Sequence, residues 1–394
     1  MPARAEAGAD PARLRPIAIW LLCCCGMIFA MVVLGGITRL TLSGVSITEW
    51  QPVSGIVPPL SHADWLAEFE KYRQIPQYKL LNAGMSLGEF KTIFWWEYAH
   101  RLWGRLIGLV YLLPFLYFLA RRAIPKRLAW PLAGIFALGA AQGALGWYMV
   151  ESGLADRVEV SQYRLVAHLA LALAIYAMTL WLALGLLGSP SPALREREGP
   201  DPEGWEGEGL ILSPPHPTLS PIGGEGVSSW RWKRLSEGLI ALIGLTICAG
   251  GFVAGLHAGL TYNTFPLMDG SFVPAGYTQL HPFFRNWFEN VAAVQFDHRL
   301  LAETTAAAVL LLWAIGRRTA LPRPARSALY WLLAAIMLQF ALGVATLYLV
   351  VPIACAAAHQ AGAVLLLTAA IVFRHTLHPA RAAARLDLAA APAI

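Results

Sequence analysis

Charge is scarce in this chain. Of its 394 residues 14% are charged and 57% are hydrophobic, whereas an ordinary soluble domain is about a quarter charged. That excludes a water-soluble globular enzyme. The formal net charge of +6 is not a nucleic-acid signal, because the basic residues lie between apolar runs rather than in a patch. Cysteine is scarce too. The five cysteines, at 23, 24, 25, 248 and 355, avoid the long external loops, so no disulfide framework is implied. They read as small apolar membrane residues.

What the sequence has in abundance is apolar runs of about 20 residues, the length that crosses ~30 Å of hydrocarbon. Eight occur: 17–37, 93–119, 128–150, 165–187, 239–256, 291–315, 327–351 and 353–373. Arg13 and Arg15 before the first run imitate a signal peptide. The run is too long for that, and Gly35-Gly36-Ile37-Thr38 makes a poor cleavage site. Arg and Lys cluster before runs 1 and 5, between 2 and 3, between 6 and 7, and after 8. With eight alternating spans all fall on one side, which puts both termini in the cytoplasm.

The runs form two copies of one unit. Gly35-Gly36 closes the first and Gly250-Gly251 the fifth. Gln142 and Gly146 in the third match Gln339 and Gly343 in the seventh. His100-Arg101 and His298-Arg299 mark the second and sixth, and His168 and His359 the fourth and eighth. Four spans return the chain to its starting side, so the copies are parallel repeats. The expected fold is an all-α polytopic membrane protein, its eight transmembrane helices arranged as two pseudo-symmetric four-helix bundles. The expected divisions are a cytoplasmic tail over 1–16, a first bundle over 17–187, a second over 236–375 and a tail over 376–394. Between the bundles, residues 188–235 read as a disordered cytoplasmic linker, dominated to residue 230 by Pro, Gly, Ser and Glu. His216 there is solvent-exposed and idle.

An external segment spans 38–92. Ser61 with Asp64, and Ser86 with Glu89, have capping-box spacing. Trp65, Phe69 and Tyr72 make one face of an amphipathic helix, either a lid on the outer membrane surface or loop filler.

Ionisable groups at membrane depth are expensive and seldom lack a partner or a task. His100, His168, His298 and His359 each sit six or seven residues below an outer helix start, or ~9–11 Å at the usual helical rise. Two level histidines on two helices of one bundle suit bis-imidazole ligation of a porphyrin, so two haem sites are expected. Glu97 with His100 also has the spacing of a bundle di-iron motif. That chemistry needs further carboxylates, and the second copy carries Gln295 instead. Zinc lacks a suitable ligand set. Arg101 and Arg299 suit haem propionates, or helical ion pairs with Glu97 and Glu303. Glu97 either neutralises Arg101 or, one turn above His100, stabilises charge or moves protons at a porphyrin edge.

These residues resemble haem A synthase, the membrane enzyme family that makes haem A for cytochrome oxidase. The resemblance rests on Gly35–Thr41, on Ser43-Gly44-Val45-Ser46 and on Glu49-Trp50. It rests also on Glu97 with His100-Arg101, the loop Ala258–Gly270, and the four histidines. It points to the alphaproteobacterial and mitochondrial branch, without an external cysteine pair. It departs at His257, where an acidic residue is expected, and at Leu42 in place of Glu. The resemblance implies haem O as substrate at His100 and His168, haem b on His298 and His359, and Glu97 as the catalytic carboxylate. The reaction implied is oxidation of the C8 methyl of haem O to a formyl group by two successive hydroxylations. The second gives a hydrated aldehyde that loses water. Implied surroundings are the bacterial inner membrane, haem O synthase and cytochrome oxidase assembly factors, with homo-oligomerisation open and no nucleic acid. A haem-b electron-transfer protein and a haem-binding assembly or transport protein remain as alternatives; neither needs Glu97.

Overall fold

The computed structural model describes residues 11–51, 54–155, 157–187 and 224–377. The expected tails over 1–10 and 378–394, and the linker over 188–223 with His216, lie outside them.

Eight of the described helices are long and apolar enough to cross a membrane. They are α1 (Pro11–Leu40), α4 (Leu87–Ala120), α5 (Lys126–Ala155), α6 (Gln162–Leu187), α7 (Gly224–Gly255), α9 (Val291–Gly316), α10 (Arg323–Tyr348) and α11 (Ile353–Thr376). Shorter helices α2 (His62–Arg73), α3 (Pro76–Leu80) and α8 (Asn286–Glu289) belong to the segments joining them. No strand occurs among the described residues. Lipid offers the backbone no hydrogen-bond partners, so each span must satisfy its own, as a helix does.

The helices pack as α1–α4–α5–α6 and as α7–α9–α10–α11, each closing a ring of neighbours in the same order. α1 and α6 of the first group meet α7 and α11 of the second. That seam is stitched by polar contacts. Tyr176 and Thr368 join hydroxyls at 2.7 Å across α6 and α11, and Gln360 on α11 donates to the Val32 carbonyl on α1 at 2.8 Å.

Two boundaries differ from the sequence expectation, and a third helix outruns its apolar run where its capping box predicts. α1 starts at Pro11 rather than residue 17, because Leu14 already packs into the core. α7 starts at Gly224, inside the span expected to be linker. Trp232 anchors that extension, buried edge-on against Phe373 of α11. α4 projects two turns beyond the apolar run, started by the Ser86–Glu89 capping box. Its N-terminal end carries Phe90 and Phe94, which receive Trp65, Phe69 and Tyr72 of α2. Of the two readings open to this helix, a lid on the membrane surface or loop filler, the second fits, because its apolar face is turned onto protein. The Ser61–Asp64 capping box does begin that helix, as the spacing predicts.

Candidate functional site: two histidine pairs

Each of the four histidines lies against a glycine of the preceding long helix. A Cβ built on Gly35 of α1 would stand 2.9 Å from Cε1 of His100 on α4. The same 2.9 Å separates Gly146 of α5 from His168 on α6, Gly250 of α7 from His298 on α9, and Gly343 of α10 from His359 on α11. Real Cβ atoms do not come that close, so these notches admit glycine alone unless the ring moves. The sequence had shown the glycines as repeated marks but not what they receive.

In the second group the rings of His298 and His359 stand 6.5 Å apart, centre to centre, at 83°. Metal–imidazole bonds of about 2 Å, with each ring centre about 1 Å behind its nitrogen, put two rings on one metal roughly 6 Å apart. His298 Nδ1 lies 3.1 Å from the Thr246 carbonyl, one turn before Gly250. Nδ1–H donation to that carbonyl leaves Nε2 free for a metal. In the first group the imidazoles of His100 and His168 are close enough to interact electrostatically. Nδ1 of His100 and of His168 is buried without a hydrogen-bond partner. The donor set fits a bis-imidazole iron. It does not fit a di-iron or zinc centre, since no three His, Cys, Asp or Glu side chains gather among the described residues.

Three of the histidines follow their helix starts by the expected offset: His168, His298 and His359 by six, seven and six residues. His100 follows Leu87 by thirteen. The extra two turns lie N-terminal to the apolar run of α4.

One turn above His100, Glu97 is 2% exposed. Its Oε1 accepts from Arg101 Nε at 3.0 Å and Nη2 at 2.6 Å. Its Oε2 accepts from the Ser46 hydroxyl at 2.7 Å and the Ile47 amide at 2.8 Å. Arg101 then donates to the carbonyls of Ile47, at 2.8 Å, and Glu49, at 2.9 Å. The pair pins the strip that follows α1. At the end of that strip Trp50 stacks on Trp147, the residue after the His168 notch. Ser46 and the Ile47 amide were missed as partners, because contacts across 50 positions leave no local spacing signal.

Gln295 and Arg299 repeat the design. Gln295 is 1% exposed. Its Nε2 donates to the Tyr262 carbonyl at 2.9 Å, and its Oε1 is buried without a partner. Arg299 donates to the carbonyls of Tyr262, at 2.6 Å, and Thr264, at 2.7 Å. The expected pairing with Glu303 gives way to these loop carbonyls, which the loop brings directly over the guanidinium.

His257, the departure in the outer loop, also has a place. It sits at φ 52° between α7 and a short 3₁₀ turn, Ala258–Leu260. Its Nε2 is 2.8 Å from both oxygens of Glu159, which also binds Arg39 at 2.7 Å. Arg39 donates to the Ala254 carbonyl at 2.9 Å. This cluster ties the two groups together at the C-terminal ends of α1 and α7.

The chain is 53% identical over 363 residues to a protein named heme A synthase from Nitrosospira multiformis, covering 92% of this chain and 94% of that one. It is 50% identical over 356 residues to a heme A synthase from Nitrosomonas eutropha, covering 90% and 92%. Over 369 residues it is 48% identical to one from Rhodospirillum centenum, covering 93% and 89%. The profile of the COX15-CtaA family, described as cytochrome oxidase assembly protein, matches residues 18–212 and 222–371. Matched along nearly all its length, this multi-pass membrane chain belongs to the COX15-CtaA family.

Proposed function

We propose that the chain is a haem A synthase, converting the C8 methyl of haem O to a formyl group by two successive hydroxylations in the biogenesis of cytochrome c oxidase. The single observation that carries this beyond the relatives' names is the pair of glycine-notched histidine couples, one in each helix group. The two groups are pseudo-symmetric four-helix bundles. The first, with His100 and His168, takes the substrate. The second holds haem b on His298 and His359. Bound there, haem b would supply one-electron transfer.

The residues of the chain divide the work. Gly35 and Gly146 hold the imidazoles of the substrate site in place. Arg101, Ser46 and the Ile47 amide fix the Glu97 carboxylate one turn above His100. A fixed carboxylate at that point stabilises positive charge developing at the substrate edge, or takes a proton from it. Trp50, stacked on Trp147, joins the strip to the helix that carries the His168 notch. Arg299 lines a small cleft with Met268, Phe296 and Glu303; like Arg101 it gives its terminal nitrogens to loop carbonyls, and a propionate at either arginine would share the guanidinium with them. The chain lies in the bacterial inner membrane with both termini in the cytoplasm, served by a haem O synthase and by oxidase assembly factors.

The test is the pigment of the purified protein. Haem O or haem A together with haem b supports the proposal. Haem b alone makes this an electron-transfer or haem-carrying protein.

A further inference from the structure

The doubled glycines at the outer ends of α1 and α7 face two ways. The first of each pair receives a histidine of its own group: Gly35 takes His100 and Gly250 takes His298. One residue later a helix has turned by about 100°, and the second glycine meets the other group. A Cβ on Gly36 would stand 1.8 Å from Oε1 of Gln360, the residue after His359 on α11. A Cβ on Gly251 would stand 3.0 Å from Cγ2 of Val166 and 3.3 Å from Cδ2 of Leu169, which flank His168 on α6. Gln360 is held there by its 2.8 Å bond to the carbonyl of Val32, one turn before Gly36.

We propose that each glycine pair is a two-way positioning element, its first glycine seating a histidine of its own site and its second setting the approach of a histidine helix of the other. Neighbours in sequence therefore govern opposite sites. Gly35 and Gly251 serve the His100–His168 site. Gly250 and Gly36 serve the His298–His359 site. The proposal rests on the four histidines being haem ligands. Small residues at helix seams have a plainer use in close packing. Plain packing makes the two glycines of a pair fail alike; two-way positioning makes them fail crosswise.

The experiment uses the purified full-length protein in detergent. The b-type haem is followed by electron paramagnetic resonance and redox titration, and bound haem O and haem A by mass spectrometry. Gly36→Ala forces the Gln360 side chain to move and give up Val32. It should perturb the b-type spectrum and weaken haem b retention by about tenfold, as supporting residues of metal sites do, while the haem O and haem A content stays. Gly35→Ala should deplete haem O and haem A and leave the b-type spectrum alone. Gly251→Ala should follow Gly35→Ala, and Gly250→Ala should follow Gly36→Ala.

Adding Gln360→Ala to Gly36→Ala removes the atoms that the new methyl would meet. The double variant should match Gln360→Ala alone, the signature of a direct coupling. If Gly36→Ala does not accumulate, the double variant decides: a folded protein with the Gln360→Ala spectrum supports the proposal, and a second failure to fold overturns it. Gly36→Ala behaving like Gly35→Ala also overturns it. The ligand assignment fails separately. A b-type signal surviving both His298→Ala and His359→Ala removes that assignment and the proposal with it. Loss of the signal there, without crosswise glycine effects, removes the proposal alone.

Discussion

Glu97 and Gln295 occupy the same station, three residues before a histidine and four before an arginine, and use their side chains in opposite senses. The carboxylate of Glu97 collects four hydrogen bonds. The amide of Gln295 gives one to Tyr262 and keeps an unpartnered buried oxygen. What the two stations share is the arginine one turn below. Arg101 holds the carbonyls of Ile47 and Glu49, and Arg299 those of Tyr262 and Thr264, in each case two residues apart. Holding the loop therefore does not require a carboxylate, since the second group does it with an amide. Nor does burying an arginine require one bonded to it: Arg299 is 7% exposed and spends its terminal nitrogens on carbonyls. The negative charge of Glu97 is left as the feature that structure alone does not demand. That is the physical ground for the proposal that the first group oxidises and the second transfers electrons.

The comparison breaks most severely at the histidines. His298→Ala or His359→Ala should abolish the b-type spectrum, while His100→Ala or His168→Ala should leave it and abolish conversion. Optical spectra with pigment extraction check both. One substitution that empties both sites of a folded protein would contradict two separate sites.

Arg101→Lys is the next largest effect. A point charge cannot reproduce four bonds from one planar fork, and each lost bond to a charged group costs about 2 kcal/mol. Conversion should fall by about tenfold or more and the strip 43–51 should become protease-sensitive. Arg299→Lys should loosen 262–264 in the same assay with a weaker effect on conversion. Equal losses of turnover would erase the distinction between the groups.

Gln295→Glu sharpens the contrast from the other side. It installs the carboxylate beside Arg299, and should shift the haem b potential while turnover stays within about twofold of the parent. A large gain or loss of haem A would mean that the second station takes part in the chemistry.

The smallest effect is acid weakening of the outer tie. Burial pushes the Glu159 carboxyl up, but its bonds to His257 and Arg39 outweigh that and hold it below the ordinary carboxylate range. A carboxyl depressed in the folded state stabilises the fold above its unfolded value and loses that contribution as pH falls through the folded one. Thermal unfolding in detergent should show a modest loss beginning near pH 4. Glu159→Gln should flatten it, and an unchanged slope in that variant would place the acid sensitivity elsewhere.

The parts of this protein that were legible in sequence are those encoded within a turn or two. Ser86 and Glu89 announce the start of α4 because the cap closes over three residues. The ion pair of Glu97 and Arg101 follows from their spacing. The spans follow from the thickness of the hydrocarbon. What the sequence concealed depends on distant positions. Whether α2 lays its aromatic face on lipid or on protein is decided by Phe90 and Phe94, beyond its own end. Arg299 was open to Glu303 in its own helix, and the loop 35 positions earlier takes it. Trp232 looked like linker because its partner, Phe373, is 141 positions away. The glycines at 36 and 251 carried a visible repeat, but their partners lie on the other group of helices.

The pigment bound to Glu97→Gln tests the central claim most directly. The substitution keeps the shape of the side chain and removes its charge. With oxidation assigned to the first group, the purified variant should carry haem b with an unaltered spectrum, and should hold haem O or the singly oxidised alcohol in place of haem A. A normal yield of haem A from Glu97→Gln would contradict that assignment, and would reduce Glu97 to a second version of the loop clamp that Gln295 already provides.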